Sequence, residues 1–217
     1  MVKTPEEYFS DQTFDLTPAA EGTGITSAEQ AFLHKYVGVE AAKTLGVSAE
    51  VLQAKPAAIP QAAARPLHEE LKTAPSIQMI FFYVGKQLYT IPIDAVQEVI
   101  RYVTPTGLPL APPQVAGVIN LRGRITPLLN LDMMLCDVHN GSQKDGFIII
   151  CMRSGLQIGL IVEKIHNMHT IQQEKVIWNV ESQIGANTDF LCGLIDFNDK
   201  IFGIVSIDMI VDHVIQS

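Results

Sequence analysis

The chain has 217 residues, 47% of them hydrophobic and 18% charged, with a formal net charge of −8. That length suits one or two domains with a sizeable core. The acidic balance, 6 basic and 10 acidic residues over 1–76 and 9 and 13 over 77–217, excludes a nucleic-acid binder, which needs clustered Lys and Arg.

In chain order, residues 1–76 carry short helical signals separated by breakers. Thr4-Pro5-Glu6-Glu7 combines a capping box with proline at the first helical position. Thr26-Ser27-Ala28-Glu29 is a second capping box. It opens a stretch in which Phe32 and Tyr36, and Leu33 and Val37, stand four residues apart, and Gly38 ends it. Two further short helices are expected over Val39–Gly46 and Ser48–Gln53. Residues 54–66, rich in Ala and Pro, read as a linker. The expected organisation is therefore an extension with short helices over 1–53, a linker over 54–76 and a domain over 77–217. Residues 1–76 read either as a small docking element or as a flexible extension, and as they share no obvious apolar strand with the rest of the chain, they are expected to be dispensable for folding.

From Ile77 onward the texture is β. Strands are expected at Ile77–Val84, Gln87–Ile91, Val96–Arg101, Gly117–Leu121, Arg124–Leu131, Phe147–Arg153, Gln157–Glu163, Phe190–Phe197 and Ile201–Ile207. Short strands at this spacing, broken by Gly and Asp, indicate an antiparallel barrel or sandwich. The tail differs: Ile207, Ile210, Val211, Val214 and Ile215 follow a helical period after a Ser206 cap, giving a terminal amphipathic helix.

Self-comparison adds a repeat. Residues 117–135, GVINLRGRITPLLNLDMML, align without a gap to 193–211, GLIDFNDKIFGIVSIDMIV. A looser echo links VGKQLYTIPIDAV, ending at Val96, to SGLQIGLIVEKI, ending at Ile165. The domain is thus expected to be two copies of one small barrel. Positions that agree serve the fold, and those that differ at turns are free for function: Arg122 faces Asn198, Gly123 faces Asp199 and Glu98 faces Asn167. An exposed Arg in a turn is the kind of side chain enriched at interface hot spots, although a turn arginine can also be merely solvated.

Other constellations carry no chemistry. His166 and His169 sit on a strand-like run with no acidic partner at ligand spacing, so no metal site is expected. Cys136 near His139 lacks a third member for a nucleophile. Glycines fall singly between strands and form no phosphate cradle. Trp178 reads as packing, and Asp196, Asp199 and Asp208 as turn and helix-cap residues. The three cysteines, Cys136, Cys151 and Cys192, are odd in number and set in apolar runs, as in reduced cytoplasmic proteins. No apolar run approaches the roughly 18 residues of a membrane span, and no charged start precedes one at the N-terminus.

The stretch GVINLRGRITPLLNL at Gly117–Leu131 resembles the signature of the CheW family, the adaptors joining chemoreceptors to the histidine kinase CheA. The resemblance extends through FFYVGKQLYTIPIDAVQEVIR, PLAPPQVAGVINLRG, LIVEKI, FLCGLI and IFGIVSIDMI, over roughly residues 77–215. It implies a mainly β fold of two five-stranded SH3-like barrels, no cofactor, no metal and no catalysis. It also implies a cytoplasmic protein recruited to membrane-bound receptor arrays without inserting in the membrane. Val96, Glu98 and Arg122 match family positions of receptor contact, and Met168 falls near a further apolar one. Thr106 and Gly117 match positions that meet the kinase regulatory domain. The prolines at 105, 109, 112 and 113 and the front 76 residues depart from the family pattern. The rival readings are an adaptor in a chemosensory pathway governing surface motility or development, and a small ligand-binding β-barrel.

Overall fold

The structure, a computed structural model, describes residues 26–36, 65–109, 111–136, 146–178, 189–198 and 200–216. The expected helices at Thr4–Glu7, Val39–Gly46 and Ser48–Gln53, most of the linker, and His139 and Asp199 lie outside them.

Among the described residues, eleven strands form two sheets. They are β1 (Ser76–Val84), β2 (Gln87–Pro92), β3 (Val96–Arg101), β4 (Val115–Leu121), β5 (Arg124–Asn130) and β6 (Phe147–Arg153), then β7 (Leu156–Val162), β8 (Lys164–Gln172), β9 (Val176–Trp178), β10 (Leu191–Phe197) and β11 (Lys200–Val205). One sheet has five strands in the order β3-β6-β7-β5-β4, and the other has six in the order β8-β1-β2-β11-β10-β9. The sixth is the three-residue β9. Sheet membership is interleaved: the chain begins in the six-stranded sheet, builds the other, and returns. The returning β11 therefore lies beside the early β2, and there, as at β5–β7 within the five-stranded sheet, the expected antiparallel pattern gives way to parallel pairing.

The repeat is present down to its irregularities. Gly117 pairs with Leu128 after a bulge, as Gly193 pairs with Ile204 after a bulge. Val96 faces Cys151 and Glu98 faces Ile150, just as Ile165 faces Phe82 and Asn167 faces Phe81, again with a bulge between. The looser echo is thus the same structural unit. The missed strands explain themselves: β8, KIHNMHTIQ, is polar at most positions because it is an edge strand exposed along much of its length.

Three apolar clusters of described residues hold the fold. One lies within the six-stranded sheet around Met79, Phe81 and Ile195, and one within the five-stranded sheet around Leu128, Ile148 and Ile150. The largest joins Phe82, Ile91, Ile149, Leu160 and the helices. The terminal helix, α4 (Ile207–Gln216), is capped as expected: the Met209 N–H donates to Ser206 Oγ at 3.3 Å, and Ile207, Ile210, Val211 and Val214 are buried.

The front of the chain corrects one expectation. Helix α1 (Ser27–Tyr36) has the expected capping box, with the Glu29 N–H donating to Thr26 Oγ1 at 3.2 Å and the Thr26 N–H to Glu29 Oε2 at 2.7 Å. Its apolar face is not free. Phe32 and Leu33 are each 1% exposed in the largest cluster, and Tyr36 donates its hydroxyl to the Val214 carbonyl at 3.2 Å. Periodicity predicts such a face but not what it will cover, so dispensability does not follow. Within the stretch read as linker, residues Leu67–Leu71 form a short helix, α2, with Leu71 buried. Its start is fixed by Asp208, which accepts from the Leu67 N–H at 2.8 Å and from Arg153 Nε at 2.6 Å.

Candidate functional site

Arg122 occupies the two-residue turn between β4 and β5, with φ 52° followed by Gly123 at φ 82°. Two positive φ values are what a type I′ hairpin turn requires, and they favour Asn-Gly. Asn198 holds the matched turn at the same φ of 52°. An arginine here gives up roughly 1 kcal/mol of backbone preference relative to glycine or asparagine. Asn120 steadies the turn by accepting from the Gly123 N–H at 2.9 Å. Strain of this kind collects at functional positions.

The side chain reaches from this turn to β3, where Arg122 Nη2 donates to Glu98 Oε2 at 2.9 Å. As β3 and β4 are the two outer strands of the five-stranded sheet, the pair spans its opening. The Arg122 side chain is 67% exposed and that of Glu98 20%. A pair this open contributes about 0–1 kcal/mol. The fold gains little from it, so both groups can be redirected to a partner at small cost. Val96, two residues before Glu98, is half-buried and packs on the largest cluster.

Thr106 and Gly117 also meet. Thr106 forms an isolated antiparallel bridge with Val118, each N–H donating to the other's carbonyl at 2.9 Å. Gly117 has φ +143°, and a Cβ there would stand 2.3 Å from the Thr106 carbonyl oxygen. Only glycine lets the exposed Thr106 backbone lie on β4. The proline-rich loop is pinned around it: Asn130 Nδ2 donates to the Pro113 carbonyl at 3.1 Å, and the Val115 N–H to that of Pro112 at 2.9 Å.

Met168 stands apart from the ion pair's sheet. It lies on β8 opposite Ile80 and is 53% exposed. The structure thus joins Glu98 with Arg122 and Thr106 with Gly117, and places Met168 on the other sheet.

The remaining candidates have structural surroundings. His169 meets the rings of Phe81 and Phe197 at 5.5 and 4.7 Å, and the exposed His166 lies 5.6 Å from Tyr83. Trp178 ends β9 against Gly193. Burial pushes the Cys151 thiol far up and that of Cys192 up to about 12, so neither offers a thiolate. Among the described residues no helix is long and apolar enough to cross a membrane. Sequence reasoning missed the Arg153–Asp208 tie and the exposure of Ile201, 65% against 8% for its repeat partner Ile125. Agreement between copies was a signal for shared burial there, and it misled because α1 covers only one of them.

Two β-sheets thus carry Glu98 beside Arg122 and Thr106 beside Gly117, and no group of metal-ligating side chains stands among the described residues. Residues 78–214 match the CheW-like domain model, and the chain belongs to the CheW family. It is 26% identical over 138 residues to a chemotaxis protein CheW of Thermotoga maritima, covering 63% of this chain and 89% of that one. It is 30% identical over 107 residues to that of Bacillus subtilis, covering 49% and 67%. The crystal structure of the scaffolding protein TtCheW from Thermoanaerobacter tengcongensis superposes with a TM-score of 0.56 at 30% identity, over 60% of this chain and 89% of that one.

Proposed function

We propose that this chain is a non-catalytic adaptor that couples chemoreceptors to a CheA-type histidine kinase at membrane-associated arrays. The observation that carries the reading is Arg122: an arginine held in a left-handed turn, 67% exposed, where the other copy manages with Asn198. In this reading Arg122 and Glu98 exchange their mutual contact for charge-assisted hydrogen bonds to a helical receptor tip. Val96 and Met168 supply apolar contact, and the Thr106–Val118 bridge, which Gly117 makes room for, offers a rigid edge to the kinase regulatory domain. No step makes or breaks a covalent bond.

Reconstitution tests it. Purified receptor cytoplasmic fragment and kinase regulatory domain should co-elute from a sizing column only when this protein is added. Separate binding of neither partner, or nucleotide hydrolysis by this protein abolished by a point substitution, would overturn the reading.

A further inference from the structure

The internal repeat places two equivalent faces in different surroundings. In one copy, α1 lies across the starts of β5 and β7. Thr26 Oγ1 donates to the Gly155 carbonyl at 2.6 Å, and Glu29 Oε1 stands 3.9 Å from Arg124 Nη1. Beside those anchors, Ile125 is 8% exposed and Leu156 fully buried. Leu128 meets Gly159 where, in the other copy, Ile204 meets Thr90. By that register Gly155 corresponds to Lys86, Leu156 to Gln87, Arg124 to Lys200 and Ile125 to Ile201.

No described segment lies across this second face. Gln87 is exposed and Ile201 is 65% exposed. Together with Tyr89, Leu135 and Phe202 they line an open groove of about 980 Å³, with Lys86 and Lys200 at its margin. Among its described lining residues there are two lysines and no carboxylate, on a chain of net charge −8. The groove is thus apolar below and cationic at the rim, as the first face is where Arg124 meets Glu29.

We propose that this groove docks an amphipathic helix of a partner protein, one with a carboxylate in its first turn and two bulky apolar side chains four residues apart, seated as α1 is seated on the other copy. A partner is favoured over a second copy of this chain. Of its described helices, α1 and α4 already bury their apolar faces in the core, and α2 and α3 (Leu131–Leu135) are five residues each. This face is additional to the contacts proposed for receptor and kinase and uses none of their residues.

A suitable probe is a stapled, fluorescently labelled peptide with the sequence of residues 26–36, TSAEQAFLHKY, titrated with the full chain. The expected result is saturable one-to-one binding that Ile201→Ser and Lys200→Glu each weaken about tenfold or more. A peptide carrying Glu29→Lys should regain affinity for the Lys200→Glu protein. Arg124→Glu should leave binding in trans unchanged, because that site holds its own helix at high effective concentration. Absence of saturation up to about 1 mM, or indifference to Ile201→Ser, would overturn the proposal. So would loss of binding in Arg124→Glu, since the peptide would then be exchanging with α1. Conversion of a dimer to a monomer by Ile201→Ser would also overturn it, by assigning the groove to a second copy.

Discussion

Phe32→Ala in the full chain measures how far the front helix belongs to the fold. Phe32 is 1% exposed, stacks 5.1 Å from Tyr36, and shares the largest apolar cluster with α4 and both sheets. Truncating a phenylalanine in such a site costs about 3–5 kcal/mol, the lost transfer energy plus the cavity left behind. Against a total stability of about 5–15 kcal/mol that is a large fraction. The loss has a ceiling: α1 can detach as a unit, and the mutation cannot cost more than the helix gains by docking. Detachment would expose Ile125, so the ceiling is itself set by apolar burial. With a urea dependence of about 2–3 kcal/mol per molar, the midpoint of urea unfolding should fall by about 1–2 M. A chain starting at Pro75 should unfold earlier still or aggregate. A midpoint within about 0.3 M of the parent's would mean that α1 adds nothing to the core and that residues 1–76 are dispensable after all.

Further outcomes rest on other contacts. Gly117→Ala should destabilise more than Gly193→Ala: the first meets a left-handed φ and a carbonyl at 2.3 Å, whereas the second meets Ile177 O at 3.0 Å with an ordinary backbone. Paired thermal melts check the order, and equal losses would contradict it. Arg153→Ala should cost about 1.5–3 kcal/mol, because it removes a charged hydrogen bond of 2.6 Å between side chains only 17% and 18% exposed; a melt within about 0.5 kcal/mol of the parent's would show the tie to be idle. With a thiol reagent at neutral pH, half-buried Cys136 should react first, and buried Cys151 and Cys192 only on unfolding. Three thiols reacting at one rate would mean the barrels open readily.

Much of the fold is legible in the sequence where local pattern decides. Val96–Arg101 and Phe147–Arg153 are strands with the expected ends, because short β-rich runs bounded by breakers fix them. The Ser206 cap and the box at Thr26–Glu29 do the same for two helices. What local pattern does not carry is which surfaces meet. Which strands lie side by side is a long-range choice, so the parallel pairs at β5–β7 and β2–β11 are not visible in it. Nor is the burial of Phe32, which depends on where α1 lands. Ile125 and Ile201 are the same residue in the same register, and only tertiary cover separates them. At the candidate site, the repeat singles out Arg122 and Glu98 as departures from the other copy, but only the structure pairs them and gives Arg122 its strained backbone.

Whether Arg122 is present for a partner or for the fold is decided by Arg122→Asn. Asparagine already occupies the matched turn at the same φ of 52°, so the backbone tolerates it, whereas alanine would keep the Cβ strain that arginine already carries. Stability and affinity for a receptor cytoplasmic fragment are measured on the one variant. Unfolding free energy should stay level or rise by up to about 1 kcal/mol, the left-handed preference regained set against the exposed ion pair lost. Affinity should fall roughly thirtyfold, the equivalent of about 2 kcal/mol lost at an interface hot spot. A variant that binds the receptor fragment as tightly as the parent would show that Arg122 serves no receptor, and one that unfolds would make it a structural residue.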